Sequence, residues 1–188
     1  MVQNSSSSLQ GSSSKKRALF VGRFQPFHKG HLHAIKWILS ENPDISEVII
    51  AVGSSQYSHT ESNPFTCGER MEMILAALEE AGIPRDRYIL THVPDLHVHS
   101  LWVAHVVSLL PRFDVVFTND PLTARLFKEA GFEVRSVPWL NRELYSATEV
   151  RERMIEGSNW EELVPPSVAR YIKRIGGDVR ARELFARR

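Results

Sequence analysis

Short apolar runs alternate with segments of helical periodicity along the chain, and this alternation most constrains the fold. Apolar runs rich in β-branched residues are typical of buried strands, and apolar residues three and four apart are typical of helices. Five strands are predicted: Ala18–Gly22, Glu47–Gly53, Arg87–Val93, Phe113–Thr118 and Phe132–Val137. The order predicts a doubly wound parallel α/β sheet with a helical C-terminal part.

The predicted helices have clear starts and stops. Thr66 and Glu69 have the spacing of a capping box, and the helix that they begin ends at Gly82. Asp120 and Pro121 suit the N-cap and first turn of a later helix. Further helices are predicted at 31–40, at 100–110 and from residue 146 on, with breaks at Gly157, Pro165–Pro166 and Gly176–Gly177. In a fold of this kind, ligands bind at the carboxyl ends of the strands, where the strand order reverses.

The length of 188 residues predicts one domain at roughly 100–200 residues per domain. Residues 1–14 are a serine-rich leader that is too polar to offset its ordering entropy, so we expect disorder there and a single domain over 15–188. Lys and Arg number 23 against 22 Asp and Glu, so a nucleic-acid partner is not expected.

The chain has no apolar run of the roughly 18 residues that a membrane span needs, and no segment like a signal peptide. We therefore expect no membrane association. Cys67 is the single cysteine, which excludes an intramolecular disulfide. A cytoplasmic location is the expectation.

The loop after the first strand reads GRFQPFHKGH and opens directly into a helix. A helix N-terminus suits a phosphate, and His28, His31 and Arg23 add donors for phosphate oxygens. Gly22 and Gly30 would let the backbone approach a ligand closely. Two alternatives remain, a metal pair and unrelated surface histidines. No third ligand stands near the histidines in sequence, so no protein-ligated metal is expected.

A second helix start of this kind follows the fifth strand. Ser146 with Glu149 fits a capping box, and Thr148 and Arg151 stand within the first turns. The hydroxyls and the guanidinium suit a second phosphate pocket, whereas the alternative is a capped surface helix with solvated arginines.

These two motifs resemble the nucleotidyltransferase α/β-phosphodiesterase superfamily, in which HxGH follows the first strand. Four blocks in order resemble more specifically the archaeal-type nicotinamide-nucleotide adenylyltransferases: GRFQPFHKGH, GSSQYSHTESNPFTCGER, the stretch from Asp95 to Trp102, and YSATEVRERM. The resemblance runs from about Arg17 to the C-terminus.

The resemblance implies transfer of an adenylyl group from ATP to nicotinamide mononucleotide (NMN), giving NAD and pyrophosphate, with Mg²⁺ carried by ATP. It assigns catalysis to His28, His31, Arg23 and Arg151. It assigns ATP binding to Gly22, Arg23, Phe24, His28, Gly30, His31, Asn119, Ser146, Thr148 and Arg151. It assigns NMN binding to Ser54, Asp95, Leu96 and Trp102, with Trp102 stacking on nicotinamide. On spacing alone, Trp102 also suits a place in the core.

Two other functions stay open at this point. One is another HxGH nucleotidyltransferase with a phosphopantetheine or alcohol-phosphate acceptor, and the other is a non-catalytic nucleotide-binding module. The resemblance also implies a homo-oligomer, and it leaves open whether nicotinate mononucleotide is a substrate.

Overall fold

The computed structural model describes residues 15–186, which form a five-stranded parallel sheet with helices on both faces. The strands are β1 (Lys16–Gly22), β2 (Ile45–Val52), β3 (Tyr88–His92), β4 (Val115–Phe117) and β5 (Glu133–Arg135). The helices are α1 (Lys29–Glu41), α2 (Cys67–Glu80), α3 (His99–Leu109), α4 (Pro121–Glu129), α5 (Ala147–Glu156), α6 (Pro166–Arg174) and α7 (Gly177–Phe185). The predicted doubly wound sheet is confirmed, whereas the expectation for residues 1–14 lies outside the described residues.

The strands lie in the order β3-β2-β1-β4-β5, and every pair is parallel. The chain moves outward from β1 to β3 and then crosses back to place β4 on the other side of β1. The strand order therefore reverses between β1 and β4. The loops after these two strands diverge there, which leaves a crevice at the carboxyl edge of the sheet.

Alternate residues of the central strands enter two cores, one on each face of the sheet. Ala18 and Phe20 of β1 pack in a core with α1, α2 and the C-terminal helices, whereas Leu19 packs with α3 and α4. Burial on both faces explains why the predicted strands are nearly continuous apolar runs.

Most strand and helix ends differ from the prediction by one or two residues, and three of these differences have identifiable contacts. Helix α1 begins at Lys29 rather than at residue 31, because His28 serves as its N-cap. β5 ends at Arg135, and the Val137 N–H is bonded instead to the side chain of Asn119. β4 begins at Val115: the Arg17 N–H donates to the Asp114 carboxylate at 3.0 Å, while the Asp114 N–H donates to the Arg17 carbonyl at 2.9 Å.

The breaks in the C-terminal part lie where the sequence predicts them. Gly157 ends α5 in the left-handed conformation with φ 74°, and Pro166 stands in the first turn of α6. A 3-10 turn at Glu161–Leu163 between them is an addition to the predicted elements. Within residues 15–186, no helix combines the length and the apolarity needed to cross a membrane.

Candidate active site

A cavity of about 740 Å³ opens where the strand order reverses. This volume falls in the range of about 300–1,000 Å³ that is usual for small-molecule sites. The walls come from the loop after β1, the loop after β4 and the segment that leads into α5. They include nine of the ten residues predicted to bind ATP: Gly22, Arg23, Phe24, His28, Gly30, His31, Asn119, Ser146 and Arg151.

The two histidines of the loop after β1 form the start of helix α1. The Nδ1 atom of His28 accepts the Gly30 N–H at 3.1 Å, and the Nδ1 atom of His31 accepts the His28 N–H at 3.2 Å. Together these bonds make a capping box built from histidines, a role that Ser or Thr and Glu or Gln usually fill. The rings stack with centroids 3.6 Å apart and planes inclined by 28°, so each ring restrains the orientation of the other.

These bonds decide which ring nitrogens carry the protons. Burial, and then the charge of Arg151, lowers the pKa of His28 to about 3. Burial, and then the neighbouring His28, holds the pKa of His31 well below its ordinary value. Both rings are therefore neutral, and because each Nδ1 accepts a backbone N–H, each proton is assigned to Nε2. The pair presents two neutral N–H donors.

The glycines of this loop allow close approach of protein groups. A Cβ on Gly30 would lie 2.9 Å from the His28 ring and 3.2 Å from the Tyr145 carbonyl oxygen. A Cβ on Gly22 would lie 2.8 Å from the Phe24 ring. The Phe24 ring in turn packs edge-on against His31 with centroids 4.8 Å apart. Both glycines thus serve the placement of the histidine pair, besides any approach to a ligand.

Two guanidinium groups face the cavity. Arg151 donates to the Gln25 carbonyl at 2.9 Å and to the Thr148 hydroxyl at 3.3 Å, and Arg23 is exposed. Burial, and then the nearby Arg23, lowers the pKa of Arg151. Among residues 15–186, no carboxylate lies within ion-pairing distance of either guanidinium. Two unpaired cations on one wall suit an anion.

Helix α5 directs a second N-terminus to the same place. The Ser146 hydroxyl accepts the Glu149 N–H at 3.1 Å, as predicted for an N-cap. The Glu149 carboxylate accepts instead from Arg153 at 2.8 Å. Of the two bonds of the predicted capping box, the structure therefore shows the one to the Ser146 hydroxyl. Thr148, the tenth predicted ATP residue, lines a neighbouring pocket that shares Arg151 with the cavity.

Asn119 lines the cavity wall but its side chain is engaged within the protein. Its Nδ2 donates to the Val137 carbonyl at 2.8 Å, and its Oδ1 accepts the Val137 N–H at 3.0 Å. The amide thus extends the pairing of β4 with β5 by one step. Asn119 fixes the wall that any ligand in the cavity would meet.

The residues predicted to bind NMN lie beyond the described walls of this cavity, after β2 and β3. Ser54 and Asp95 are brought together, since the Ser54 hydroxyl donates to the Asp95 carboxylate at 2.7 Å. Gln56 ties the same loops by two bonds with the Asp95 backbone. Leu96 is half-buried beside Asp95. The half-buried Trp102 packs edge-on against Phe127 with centroids 5.5 Å apart, so part of its ring belongs to the second core.

The sequence analysis missed one wall of the cavity and two buried residues, Gln25 and Arg70. The wall is the β5–α5 segment, where Arg142 lies over the exposed Trp139 ring at 4.6 Å. Gln25 lines the cavity and exchanges two hydrogen bonds with the Phe65 backbone. Arg70 is fully buried beneath the loops after β1 and β2. Arg70 shares the apolar spacing of Met73 and Ile74 on α2, and this is the signal that would have found it.

The described residues supply no protein cage for a metal ion. Among residues 15–186, no group of three or more His, Cys, Asp or Glu side chains is placed to hold one. The charged side chains that line the cavity are Arg23, Arg142, Arg151, Asp120 and Glu143. Positive charges outnumber negative ones there, so the lining fits an anionic phosphate better than a bare cation.

Comparison with known proteins identifies the family. A model of the cytidylyltransferase-like family matches residues 19–153. The nicotinamide-nucleotide adenylyltransferase of Thermococcus kodakarensis is 52% identical over 169 residues, which are 90% of this chain and 88% of that protein. The proteins of the same name from Pyrococcus horikoshii and Thermoplasma acidophilum are 54% and 52% identical, over 89% and 90% of this chain and 88% and 92% of theirs.

Solved structures show the same fold. The bifunctional NMN adenylyltransferase/ADP ribose pyrophosphatase of Francisella tularensis matches with a TM-score of 0.75 and 23% identity over 90% of this chain. This chain spans about half, 52%, of the length of that protein. A second structure of it, in complex with AMP and a manganese ion, matches with a TM-score of 0.74 and 25% identity, again over 90% of this chain and 52% of that one. The extent and identity of the curated matches confirm the resemblance found in the sequence, and the chain belongs to the nicotinamide-nucleotide adenylyltransferases of the cytidylyltransferase-like family.

Proposed function

We propose that the protein joins ATP and nicotinamide mononucleotide to give NAD and pyrophosphate. The observation that carries the proposal is the cavity in which two neutral histidine N–H donors and two unpaired guanidinium groups meet two helix N-termini. Phosphates are the ligands that such a set recognises. The names of the curated relatives support the same reaction.

The reaction is a direct in-line displacement. An oxygen of the NMN 5′-phosphate attacks the α-phosphorus of ATP and forms the new P–O bond. The bond from that phosphorus to the oxygen that bridges to the β-phosphate breaks, and pyrophosphate leaves with the electron pair. The attacking phosphate is already ionised at neutral pH, so no general base is required. Catalysis then consists of positioning and of stabilising charge on the α-phosphate of the transferred adenylyl group and on the departing pyrophosphate.

The side chains of the cavity divide this task. The Nε2–H groups of His28 and His31 donate to oxygens of the α-phosphate as negative charge builds there, and neutral donors do so without changing protonation state. Arg23 and Arg151 hold the phosphates by charge. Ser146 and Thr148 place the N-terminus of α5 at the triphosphate, as proposed from the sequence.

The loops after β2 and β3 form the proposed NMN side. Ser54, Asp95, Leu96 and Trp102 carry over from the sequence resemblance. The Ser54–Asp95 bond supports this assignment, because it holds the two loops as one surface beside the cavity. The free part of the Trp102 ring is proposed to stack on nicotinamide, while its edge contacts Phe127.

We propose that the divalent ion is Mg²⁺ and that it enters bound to the phosphates of ATP and to water. The excess of positive over negative side chains on the cavity lining, and the absence of a ligand cluster among residues 15–186, fit an ion held by the substrate. The ion adds charge neutralisation at the phosphates when it is bound. The solved relative in complex with AMP and a manganese ion is consistent with a divalent ion in such sites.

We also propose a cytoplasmic homo-oligomer that binds neither nucleic acid nor membranes. Helix α3 carries no Lys, Arg, Asp or Glu, and its outer face exposes Leu101, Val107 and Leu109. An exposed apolar face of this kind favours burial against another chain, and a second copy supplies the same face. The even charge balance supports the proposal that the protein binds no nucleic acid, and the single cysteine supports a reducing compartment such as the cytoplasm.

The proposed reaction is tested by incubating the purified protein with ATP, Mg²⁺ and one acceptor at a time. NAD formation with NMN, matched by an equal amount of pyrophosphate, is expected. Phosphopantetheine and an alcohol phosphate are the control acceptors, and nicotinate mononucleotide shows whether the acid is also used. Turnover with a control acceptor and none with NMN would show that the control acceptor, and not NMN, is the substrate. Tight ATP binding without any turnover would indicate a non-catalytic module.

A further inference from the structure

The side chain of Arg70 is the largest fully buried polar group among the described residues, and no catalytic assignment uses it. It extends from the first turns of α2 beneath the loops that follow β1 and β2. Among residues 15–186, no carboxylate lies within ion-pairing distance of it. A buried charge without an ion-pair partner is costly unless hydrogen bonds satisfy it.

The guanidinium donates only to backbone carbonyls. An arginine has five N–H donors, and five carbonyl oxygens surround this one, so its hydrogen-bonding capacity is filled. Nε donates to one of them, and Nη1 and Nη2 to two each: Thr66 at 3.2 Å, Arg23 at 2.8 Å, Gly53 at 2.8 Å, Ser54 at 3.1 Å and Tyr57 at 3.5 Å.

These carbonyls belong to two different loops. Arg23 lies in the loop after β1, which carries the histidine pair, and Gly53, Ser54 and Tyr57 lie in the loop after β2. The first loop belongs to the proposed ATP side and the second to the proposed NMN side. One rigid, planar group therefore fixes the distance between the two substrate loops.

Two residues at these bonds have an unfavourable backbone conformation. Phe24, which follows the Arg23 carbonyl, has φ 51°, and Ser54 has φ 49°. Residues other than glycine keep such values only where the surroundings enforce them. The Phe24 ring packs against His31, and the Ser54 hydroxyl bonds to Asp95. Phe24 thus links the loop after β1 to a residue of the proposed ATP side, and Ser54 links the loop after β2 to a residue of the proposed NMN side.

We propose that Arg70 is a positioning residue for the adenylyl transfer, which sets the attacking phosphate of NMN in line with the α-phosphate of ATP by joining the two substrate loops. This inference rests on the proposed function. Arg70 contacts no substrate in this arrangement, so its loss acts on the approach of two bound substrates rather than on the binding of either one. Misplacement by about 1 Å is enough to lower a rate about 100-fold.

The test compares Arg70→Lys with Arg87→Lys. Lysine keeps the charge but has three donors, so at least two of the five carbonyls lose their partner. Arg87 is a matched control, because it also donates only to carbonyls, those of Ser46 at 2.7 Å and Leu39 at 3.2 Å, but at the opposite end of β3 from the cavity. Both substitutions keep charge and remove backbone bonds, and only the first touches the substrate loops.

We expect Arg70→Lys to lower kcat about 10- to 100-fold with the KM values for ATP and NMN changed by less than about 3-fold. Arg87→Lys is expected to lower the melting temperature but to leave kcat within about twofold of the parent. A near-parental kcat in folded Arg70→Lys would overturn the proposal, as would equal losses in both variants or a loss confined to KM.

Amide hydrogen exchange of the unliganded proteins gives a readout that needs no activity. Peptides that cover 23–27 and 54–57 are expected to exchange faster in Arg70→Lys than in the parent and in Arg87→Lys. Unchanged exchange in both peptides would overturn the proposal. If Arg70→Lys does not fold, Arg70→Gln replaces it, and failure of both to fold would make Arg70 a structural residue and overturn the positioning role. A parent that forms no NAD but shows the expected exchange pattern would instead contradict the proposed function.

Discussion

The Nδ1 atom of His31 accepts the backbone N–H of His28 at 3.2 Å, and the two rings stack at 3.6 Å. Through this bond the histidine pair also becomes the cap of helix α1. The groups proposed to stabilise the α-phosphate of the transferred adenylyl group are thus the groups that begin the helix. A substitution of either histidine changes a helix start as well as a donor, so the tests below separate these two effects.

His31→Gln is expected to lower kcat about 100- to 1,000-fold, the scale of one lost oxyanion donor, with little change in KM. Glutamine at this position of a capping box bonds back to the N-cap N–H, so the helix start is kept while the Nε2–H donor is lost. Steady-state kinetics with ATP and NMN measure the effect, and circular dichroism checks the fold. A kcat near that of the parent would exclude His31 as a donor to the transition state.

Acid is expected to destabilise the protein through His28. The unfolded chain binds a proton on this ring below its ordinary pKa of about 6.5, whereas the folded chain does not until about pH 3. The free energy of unfolding therefore falls as the pH falls between these values, by about 1.4 kcal/mol per unit from this group.

His28→Asn tests this linkage, since asparagine keeps an N-cap acceptor without a titrating ring. Urea unfolding at about pH 7 and about pH 5 is expected to show that the parent loses about 2 kcal/mol more than the variant does. Equal losses in the two proteins would show that His28 titrates normally in the folded state.

Trp102→Ala is expected to raise the KM for NMN by about 10-fold or more, the value of about 1–3 kcal/mol for one stacked ring. The KM for ATP is expected to move little. Because Trp102 also packs on Phe127, the melting temperature is expected to fall as well. Trp102→Phe retains a ring and is the control. Equal rises in both KM values would assign Trp102 to the core alone.

Removal of divalent ions with EDTA is expected to abolish NAD formation without changing the melting temperature of the unliganded protein. The physical reason is the proposal that the ion enters with ATP: an ion that the unliganded fold does not bind contributes nothing to its stability. Mg²⁺ in excess over EDTA is expected to restore activity. A melting temperature that falls with EDTA would reveal a metal site in the protein itself.

Leu101→Lys is expected to weaken a homo-oligomer, because it places a charge on the apolar face of α3. Leu184→Lys is the matched control, since both leucines are 55% exposed and Leu184 lies on α7. Sedimentation velocity of the two variants and the parent measures the effect. The same mass for all three proteins would place any oligomer contact elsewhere or show a monomer.

The sequence by itself determined the class of fold and two of the segments that line the cavity, the loop after β1 and the start of α5. Because the sheet is buried on both faces, its strands are apolar runs, such as residues 47–53, that can be recognised in the sequence. Ser146 and Thr66 mark helix starts through local hydrogen bonds. Local chemistry of this kind depends on neighbours in the chain, and for this reason it was predicted correctly.

Tertiary structure alone decided how those residues meet. The protonation state of His28 depends on burial and on Arg151, which stands 123 positions away in the chain. The side chain of Asn119 is hydrogen-bonded to the backbone of Val137. Arg70 joins two loops through backbone carbonyls, which no sequence pattern distinguishes. Each of these relationships joins a side chain to the backbone or the charge of a distant segment. Periodicity and motif spacing record which faces are buried, but not which carbonyl or charge a buried group will meet.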